Sequence, residues 1–217
     1  MKMRVLIACE FSGRVRDAFI RRGHDAVSCD LLPTESFGPH IQEDVLEHLN
    51  DGWDLMIAHP PCTYLCVTGN SWMLPKYKDR FPNRQQQRED AIAFFMALAT
   101  APIPKIAIEN PVGIMSTIWR KPDQYIQPYQ FGEPHTKKTG LWLKNLPKLE
   151  PTNIVTPKVY HYKTGNKKGR GDPYWHVDSM KLSPLERMKA RSITFEGIAE
   201  AMAEQWGELK GSPLEKW

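Results

Sequence analysis

A cysteine behind two prolines at the end of an apolar run is the residue of this chain best placed to do chemistry. The run Leu55-Met56-Ile57-Ala58 leads into His59-Pro60-Pro61-Cys62, so Cys62 comes just beyond a buried strand, where open α/β folds keep their reactive groups. Prolines leave the backbone few conformations, and a sulfur fixed in this way is aimed at a substrate instead of wandering. The chemistry this allows is nucleophilic attack by sulfur. The plainer reading is a buried small hydrophobe, since free cysteine is among the most buried residue types. A third reading has Cys9, Cys29, Cys62 and Cys66 converging at adjacent strand ends as a metal site. Against it, Cys9 falls within a strand pattern and the spacing is not that of a zinc module, so no metal is expected.

The first half of the chain alternates strand-like and helix-like patterns, as a parallel sheet with helices on its faces requires. Arg4 to Cys9 is a short apolar run, Ser12-Gly13 breaks it, and Val15, Ala18 and Phe19 fit one helix ended by Gly23. A second strand runs from Asp25 to Cys29 and ends at Asp30; Glu43 to Leu49 reads as a short helix, and Trp53 to Ala58 is the strand that delivers Cys62. Arg84 to Thr100 carries a helical stripe at Ala91, Phe94, Phe95 and Leu98, and Lys105 to Ile108 is a strand ending at Glu109-Asn110-Pro111. Tyr125 to Phe131 and Thr139 to Leu143 read as two further strands. From Asn145 to Met180 the composition turns polar, basic and aromatic without a clear period; Ser183 then opens a helical pattern, and Ile198, Met202 and Trp206 mark another.

The 217 residues suffice for one large domain or a domain with a modest appendage, burying roughly 70 to 75% of the unfolded surface. Hydrophobic content of 41%, charged content of 25% and a mean hydropathy of −0.49 describe a globular chain in which no stretch approaches the ~20 apolar residues of a membrane span. Met1-Lys2-Met3-Arg4 leads into a strand-like run and not a secretory signal. A cytoplasmic protein with reduced cysteines and no membrane partner is expected. The net charge of +4 permits a polyanionic partner without requiring one.

Taken in order, Pro61-Cys62, Glu109-Asn110 and Phe131-Gly132-Glu133-Pro134-His135-Thr136-Lys137-Lys138-Thr139 resemble landmarks of the DNA cytosine carbon-5 methyltransferase family. The resemblance covers most of the chain and suggests a compact, phage-like or orphan member with a shortened recognition region. It implies an α/β, Rossmann-like S-adenosylmethionine-dependent methyltransferase fold, a mostly parallel twisted sheet with helices on both faces. The implied activity is transfer of a methyl group from S-adenosylmethionine to carbon 5 of a flipped cytosine through a Cys62 covalent adduct, as in DNA methylation and restriction-modification. Cytosine carbon 5 is a poor nucleophile, so a thiolate must first add to carbon 6; Cys62 would do this. Glu109 would meet the ring nitrogen and amino group as general acid and base-reader, or else cap the helix that follows. Asn110 would hold the loop around Cys62.

For the methyl donor the resemblance implies Glu10, Phe11, Ser12, Gly13, Asp30, Asp44 and Pro60, with Ser192 and Thr194 from a final motif whose helix packs back on the donor site. Turn and cap chemistry would equally account for Asp30, Asp44, Ser192 and Thr194. One departure is Arg14-Val15-Arg16, where the family's glycines continue. Another is the third motif, where His135, Lys137 and Thr139 stand for a glutamine and two arginines; lysine supplies a point charge but not the planar fork. Lys138 falls on the opposite face of that strand.

Two stretches could hold DNA. The loop after Cys62 carries Asn70, Trp72, Lys76, Tyr77, Lys78 and Arg80, suited to closing over an extruded base; Tyr160 to Trp175 interleaves Lys167, Lys168 and Arg170 with aromatics. The expected organisation is a catalytic core over residues 1–144, a basic and aromatic recognition insert over 145–180 and C-terminal helices over 181–217, acting as a monomer on double-stranded DNA. The competing expectation is a methyltransferase-like protein that binds DNA or S-adenosylmethionine but has lost turnover.

Overall fold

Three apolar runs, Val5-Leu6-Ile7-Ala8, Leu55-Met56-Ile57-Ala58 and Ile106-Ala107-Ile108, lie side by side with every side chain buried. Strands covered on both faces read as continuous hydrophobic runs, so these form the middle of a parallel sheet. The computed structural model describes residues 1–208, apart from the side chain of Lys167; the end of the expected C-terminal stretch, 209–217, lies outside the described residues. Strands β1 (Arg4–Ala8), β2 (Asp25–Cys29), β3 (His40–Ile41), β4 (Leu55–Ala58) and β5 (Lys105–Pro111) pair in parallel. Strands β6 (Gln124–Ile126) and β7 (Thr139–Lys144) complete the sheet, β7 running antiparallel to both β5 and β6. The order is β3-β2-β1-β4-β5-β7-β6, in which β1 is followed on one side by β2 and on the other by β4. That reversal makes the crevice beyond β1 and β4 the place for a ligand.

Alternate residues of the strands feed two cores. Val5, Ile7, Leu55 and Ile57 pack with Phe19 of α1 (Arg14–Arg21) and with Ile198, Met202 and Trp206 of α6 (Glu196–Gly207). Leu6, Ala8, Met56 and Ala58 pack with Phe95 and Leu98 of α2 (Arg84–Ala99). The expected fold class, an α/β mostly parallel sheet with helices on both faces, is therefore the observed one. Arg21 and Arg22 of α1 pair with Glu196, Glu200 and Glu204 of α6, exposed contacts that add little to the buried seam beneath them. Beyond β7, β8 (Val159–His161) and β9 (Gly171–Pro173) form a separate hairpin followed by α4 (Tyr174–Ser179) and α5 (Pro184–Ser192). One short helix, α3 (Met115–Ile118), follows β5. Among the described residues no helix is long and apolar enough to cross a membrane.

Several local expectations change. Strand β1 stops at Ala8, because Cys9 takes a left-handed conformation with φ 59° that no strand residue adopts. Residues 43–49 form only a single 3-10 turn, Val45–His48, with Asp44 accepting from the Leu46 N–H. The strand expected over 125–131 ends at Ile126, since Pro128 opens a 3-10 turn in which the Gln127 N–H donates to the Gln130 side chain at 2.7 Å and has no N–H to give a ladder. The aperiodic stretch 145–180 contains the β8–β9 hairpin and α4, elements too short for a period to show. Neither Ser192 nor Thr194 is a helix N-cap: Ser192 ends α5 with its hydroxyl on the Lys189 carbonyl, and Phe195 occupies the N-cap of α6.

Candidate active site

The site is assembled by register. Ala58 of β4 lies beside Ile108 of β5, so the residues that follow, His59 and Glu109, become lateral neighbours at the carboxyl edge of the sheet. His59 Nδ1 lies 2.8 Å from Glu109 Oε2, with the imidazole 6% and the carboxylate side chain 13% exposed. The next pair is also tied, Asn110 Nδ2 donating to the Pro60 carbonyl at 2.8 Å. Cys62 then begins a tight turn in which its carbonyl accepts from the N–H groups of Leu65 and Cys66. That turn is sewn to the chain after β5: Ile114 N–H donates to Leu65, Val67 N–H to Val112, and a Cβ on Gly113 would collide with the Leu65 carbonyl. Asn110 thus joins β5 to the segment that leads to Cys62.

Electrostatics divide the groups sharply. Burial by itself would raise the Glu109 carboxyl, but Lys137, the His59 hydrogen bond and the Thr139 hydroxyl outweigh it and hold the group down at about 2. The hydrogen bond to Cys66 and burial push the Cys62 thiol up, while Lys137 pulls it the other way. Cys66 moves down, because it receives the Cys62 hydrogen bond, the Thr68 hydroxyl and the Thr68 and Gly69 N–H groups. Ionisation of the pair is thus favoured at Cys66 over Cys62. Lys137, whose ammonium donates to the Arg191 carbonyl at 3.1 Å, is the cation common to Cys62 and Glu109.

Beside these groups a cavity of about 440 Å³ opens between β1, β2 and α2, with Asp30, Asp44, Pro61, Tyr64, Gln87, Asp90 and Phe94 in its wall. Asp30 stands at the end of β2, its carboxyl raised by burial although the Leu32 N–H donates to it. Pro60 is buried with its carbonyl on Asn110, and it is Pro61 that lines the cavity. Glu10, Phe11, Ser12, Gly13, Ser192 and Thr194 are not among its lining residues. Glu10 is turned inward: its carboxylate accepts from the N–H groups of Val15 and Arg16 at 2.8 and 3.2 Å and from the Ser12 hydroxyl, so it caps α1. Phe11 is buried, with the Lys189 ammonium 5.8 Å from its ring. Gly13 takes φ 74° at the N-cap of α1, and the Thr194 carbonyl accepts from Arg14. Arg16, at the departure from the glycine pattern, is wholly buried and bonds Asp17, Ser28, Thr34, Ser36 and the Pro39 carbonyl, locking the loop after β2 to α1.

The remaining candidates spread over other elements. Trp72 packs on Tyr77 and Phe81 with centroids 5.0 and 5.4 Å apart, while Lys76 and Arg80 lie over Tyr77 and Phe81. Asn70 accepts from Arg88, and Lys78 is exposed beside this cluster. His135 stacks near Phe195, with its pKa lowered by burial and by Lys158. Lys138 turns to the Tyr125 ring at 4.3 Å, away from Lys137. On the hairpin, Arg170 pairs with Asp172 and Lys168 is exposed, while the side chain of Lys167 lies outside the described residues. The four cysteines are free thiols, and among the described residues no group of three or more His, Cys, Asp or Glu side chains could hold a metal ion.

His59, Cys66 and Arg16 are the site-building residues that motif reading missed. Only His59 had a signal, its place beside the two prolines.

No protein-family model matches the chain, and no curated protein matches it. Among solved structures, it is similar to one assigned as a DNA modification methyltransferase encoded within a prophage (E. coli), at 16% sequence identity and a TM-score of 0.45. The match covers 71% of this chain and 52% of that one, so the chain spans about half the length of that protein.

Proposed function

We propose that this chain is a compact S-adenosylmethionine-dependent DNA cytosine carbon-5 methyltransferase in which Cys62 is the nucleophile. The observation that carries the reading is the meeting of a cysteine arm and a buried ionised carboxylate at adjacent strand ends, with one lysine acting on both. The cavity supports the second substrate: its volume falls in the range of small-ligand sites, its wall offers Pro61, Ala91 and Phe94 to an adenine-sized ring, and Asp30 and Asp44 to hydroxyl and amino groups. When bound, S-adenosylmethionine supplies an electrophilic methyl group.

The protein's own part begins at the sulfurs. Cys66, as the thiolate of the pair, is placed to take the Cys62 proton as Cys62 sulfur bonds to carbon 6 of the base. The carbon 5–carbon 6 double bond opens, and its electron pair spreads toward the ring oxygen and nitrogen, where Lys137 and the Glu109 pair lie in wait. After carbon 5 is methylated, its proton passes to solvent water, the C–H electron pair re-forms the carbon 5–carbon 6 double bond, and Cys62 leaves carbon 6 as a thiolate that regains its proton from Cys66. The aromatic and cationic loop at Trp72 to Arg80 would cover the extruded nucleotide, and the hairpin at 159–173 would meet the duplex, with the short insert giving few base contacts.

Methyl transfer from tritiated S-adenosylmethionine to DNA, with bisulfite sequencing of DNA from expressing cells, tests the reading. Methylation of carbon 5 by a Cys62→Ala variant would overturn the mechanism. A second reading, a methyltransferase-like binder without turnover, is favoured by the upward push on the Cys62 thiol and by lysine in place of the arginine fork. Donor binding by calorimetry without transfer would select it.

A further inference from the structure

We propose that His59 holds the proton that Glu109 delivers, so that the two residues act as one acid. This rests on the reading of the site as one that takes a cytosine base. The inference begins from a mismatch: an ionised carboxylate only accepts hydrogen bonds. It suits the amino group of cytosine but not the neighbouring ring nitrogen, which is itself an acceptor and becomes more basic as sulfur adds to carbon 6. A donor must therefore come from elsewhere.

His59 is the group placed to supply it. Register sets it beside Glu109, and the 2.8 Å contact joins Nδ1 to Oε2. Because the carboxylate can only accept, Nδ1 carries the hydrogen. The other ring nitrogen, Nε2, is buried with no hydrogen-bond partner among the described residues. A buried polar atom left without a partner in a side chain 6% exposed is costly, and such atoms call for an explanation in function. The charged and titratable groups around the pair come from two other segments: Lys137 from the chain before β7, and Cys62 and Cys66 from the turn after β4.

The balance is simple. The Cys62 thiolate adds to carbon 6 and the base becomes an anion; imidazolium His59 passes its Nδ1 proton to the Glu109 carboxylate, which hands that same proton on to the ring nitrogen. The adduct is then neutral at the ring, Glu109 is again a carboxylate and His59 is a neutral imidazole. On elimination the proton returns by the same route. His59 is thus a positioning residue that acts through Glu109 and sets how much acid is available at a given pH.

Two measurements on the full chain test this. Nitrogen-15 spectra of the histidine side chains, with His59 assigned by its loss in His59→Gln, need no activity. The expected result is a hydrogen on Nδ1, and a charged ring that in Glu109→Gln gives up its charge at lower pH. An Nε2–H tautomer, or a titration unmoved by Glu109→Gln, overturns the proposal. The second is the pH profile of methyl transfer by wild type and His59→Asn, which keeps a donor toward Glu109 but cannot carry the charge. Loss of kcat by roughly 10²–10⁴-fold, with KM for DNA little changed and the alkaline limb of the profile abolished, is expected. An unchanged profile overturns the proposal. Wild-type protein that gives the expected spectra yet transfers no methyl group overturns the methyltransferase reading and leaves the proton-sharing pair standing.

Discussion

The side-chain amide of Asn110 donates to the carbonyl of Pro60 across 2.8 Å, tying the end of β5 to the arm that carries Cys62. Proline has no N–H with which to join the ladder, so the arm leaves the sheet at this point, and the amide replaces the lost lateral bond. Asn110→Ala would leave a buried carbonyl unpaired, and a loss of about 1–3 kcal/mol is expected. Urea unfolding measures it. Methyl transfer should fall further than stability alone explains, because Cys62 loses its aim; a variant with wild-type unfolding and wild-type transfer would show that the tether does neither.

The hydrogen bond between the two sulfurs leads to an order of reactivity. Cys66 is shifted toward the thiolate by Cys62, Thr68 and two backbone N–H groups, whereas burial keeps Cys9 and Cys29 raised. Iodoacetamide at mildly acidic pH should therefore modify Cys66 first, as read by peptide mass spectrometry, since the thiolate is the reacting form. Cys66→Ser should lower methyl transfer at neutral pH and recover part of it as the pH rises. If Cys62 is labelled first, the negative charge rests on the other sulfur.

The depressed carboxyl of Glu109 makes an acid-side prediction. Its pKa falls from 4.5 to about 2 on folding, so it contributes stability that is fully present above its unfolded value and is lost as pH falls through the folded one. Urea midpoints should decline between about pH 4.5 and about 2, with a shallower decline for Glu109→Gln. Equal slopes for the two proteins would mean that the carboxyl gains nothing from Lys137 and His59.

Gly197 lies in the first turn of α6 directly against the carbonyl of Phe131, and its N–H donates to Glu133 at 2.7 Å. A methyl group at this position has nowhere to go, because it would run into the Phe131 backbone carbonyl, with the Glu133 carboxylate beside it. Gly197→Ala should cost about 1–3 kcal/mol or more in urea unfolding. It should also weaken methyl transfer, since Phe195 beside it packs under Lys137. An unaltered unfolding midpoint would show that the helix can shift without loss.

The sequence by itself determined the layered α/β architecture, because runs such as Leu55–Ala58 and Ile106–Ile108 report burial on both faces through local composition alone. It also placed Cys62 and Glu109 just beyond two such runs, although β5 continues through Glu109 to Pro111, where it pairs with β7. Short-range pattern carries no information about which strands are neighbours or in what register, and only the tertiary structure decided that His59 meets Glu109 fifty positions away. The same holds for Arg16, which stood only as a departure from the family's glycines and is buried beneath the loop that folds over it. Cys66 became a partner of Cys62 only through a tight turn whose closure depends on the chain after β5. Local hydrophobic periodicity places a residue on an element; long-range hydrogen bonding and packing choose the partner that gives it its charge.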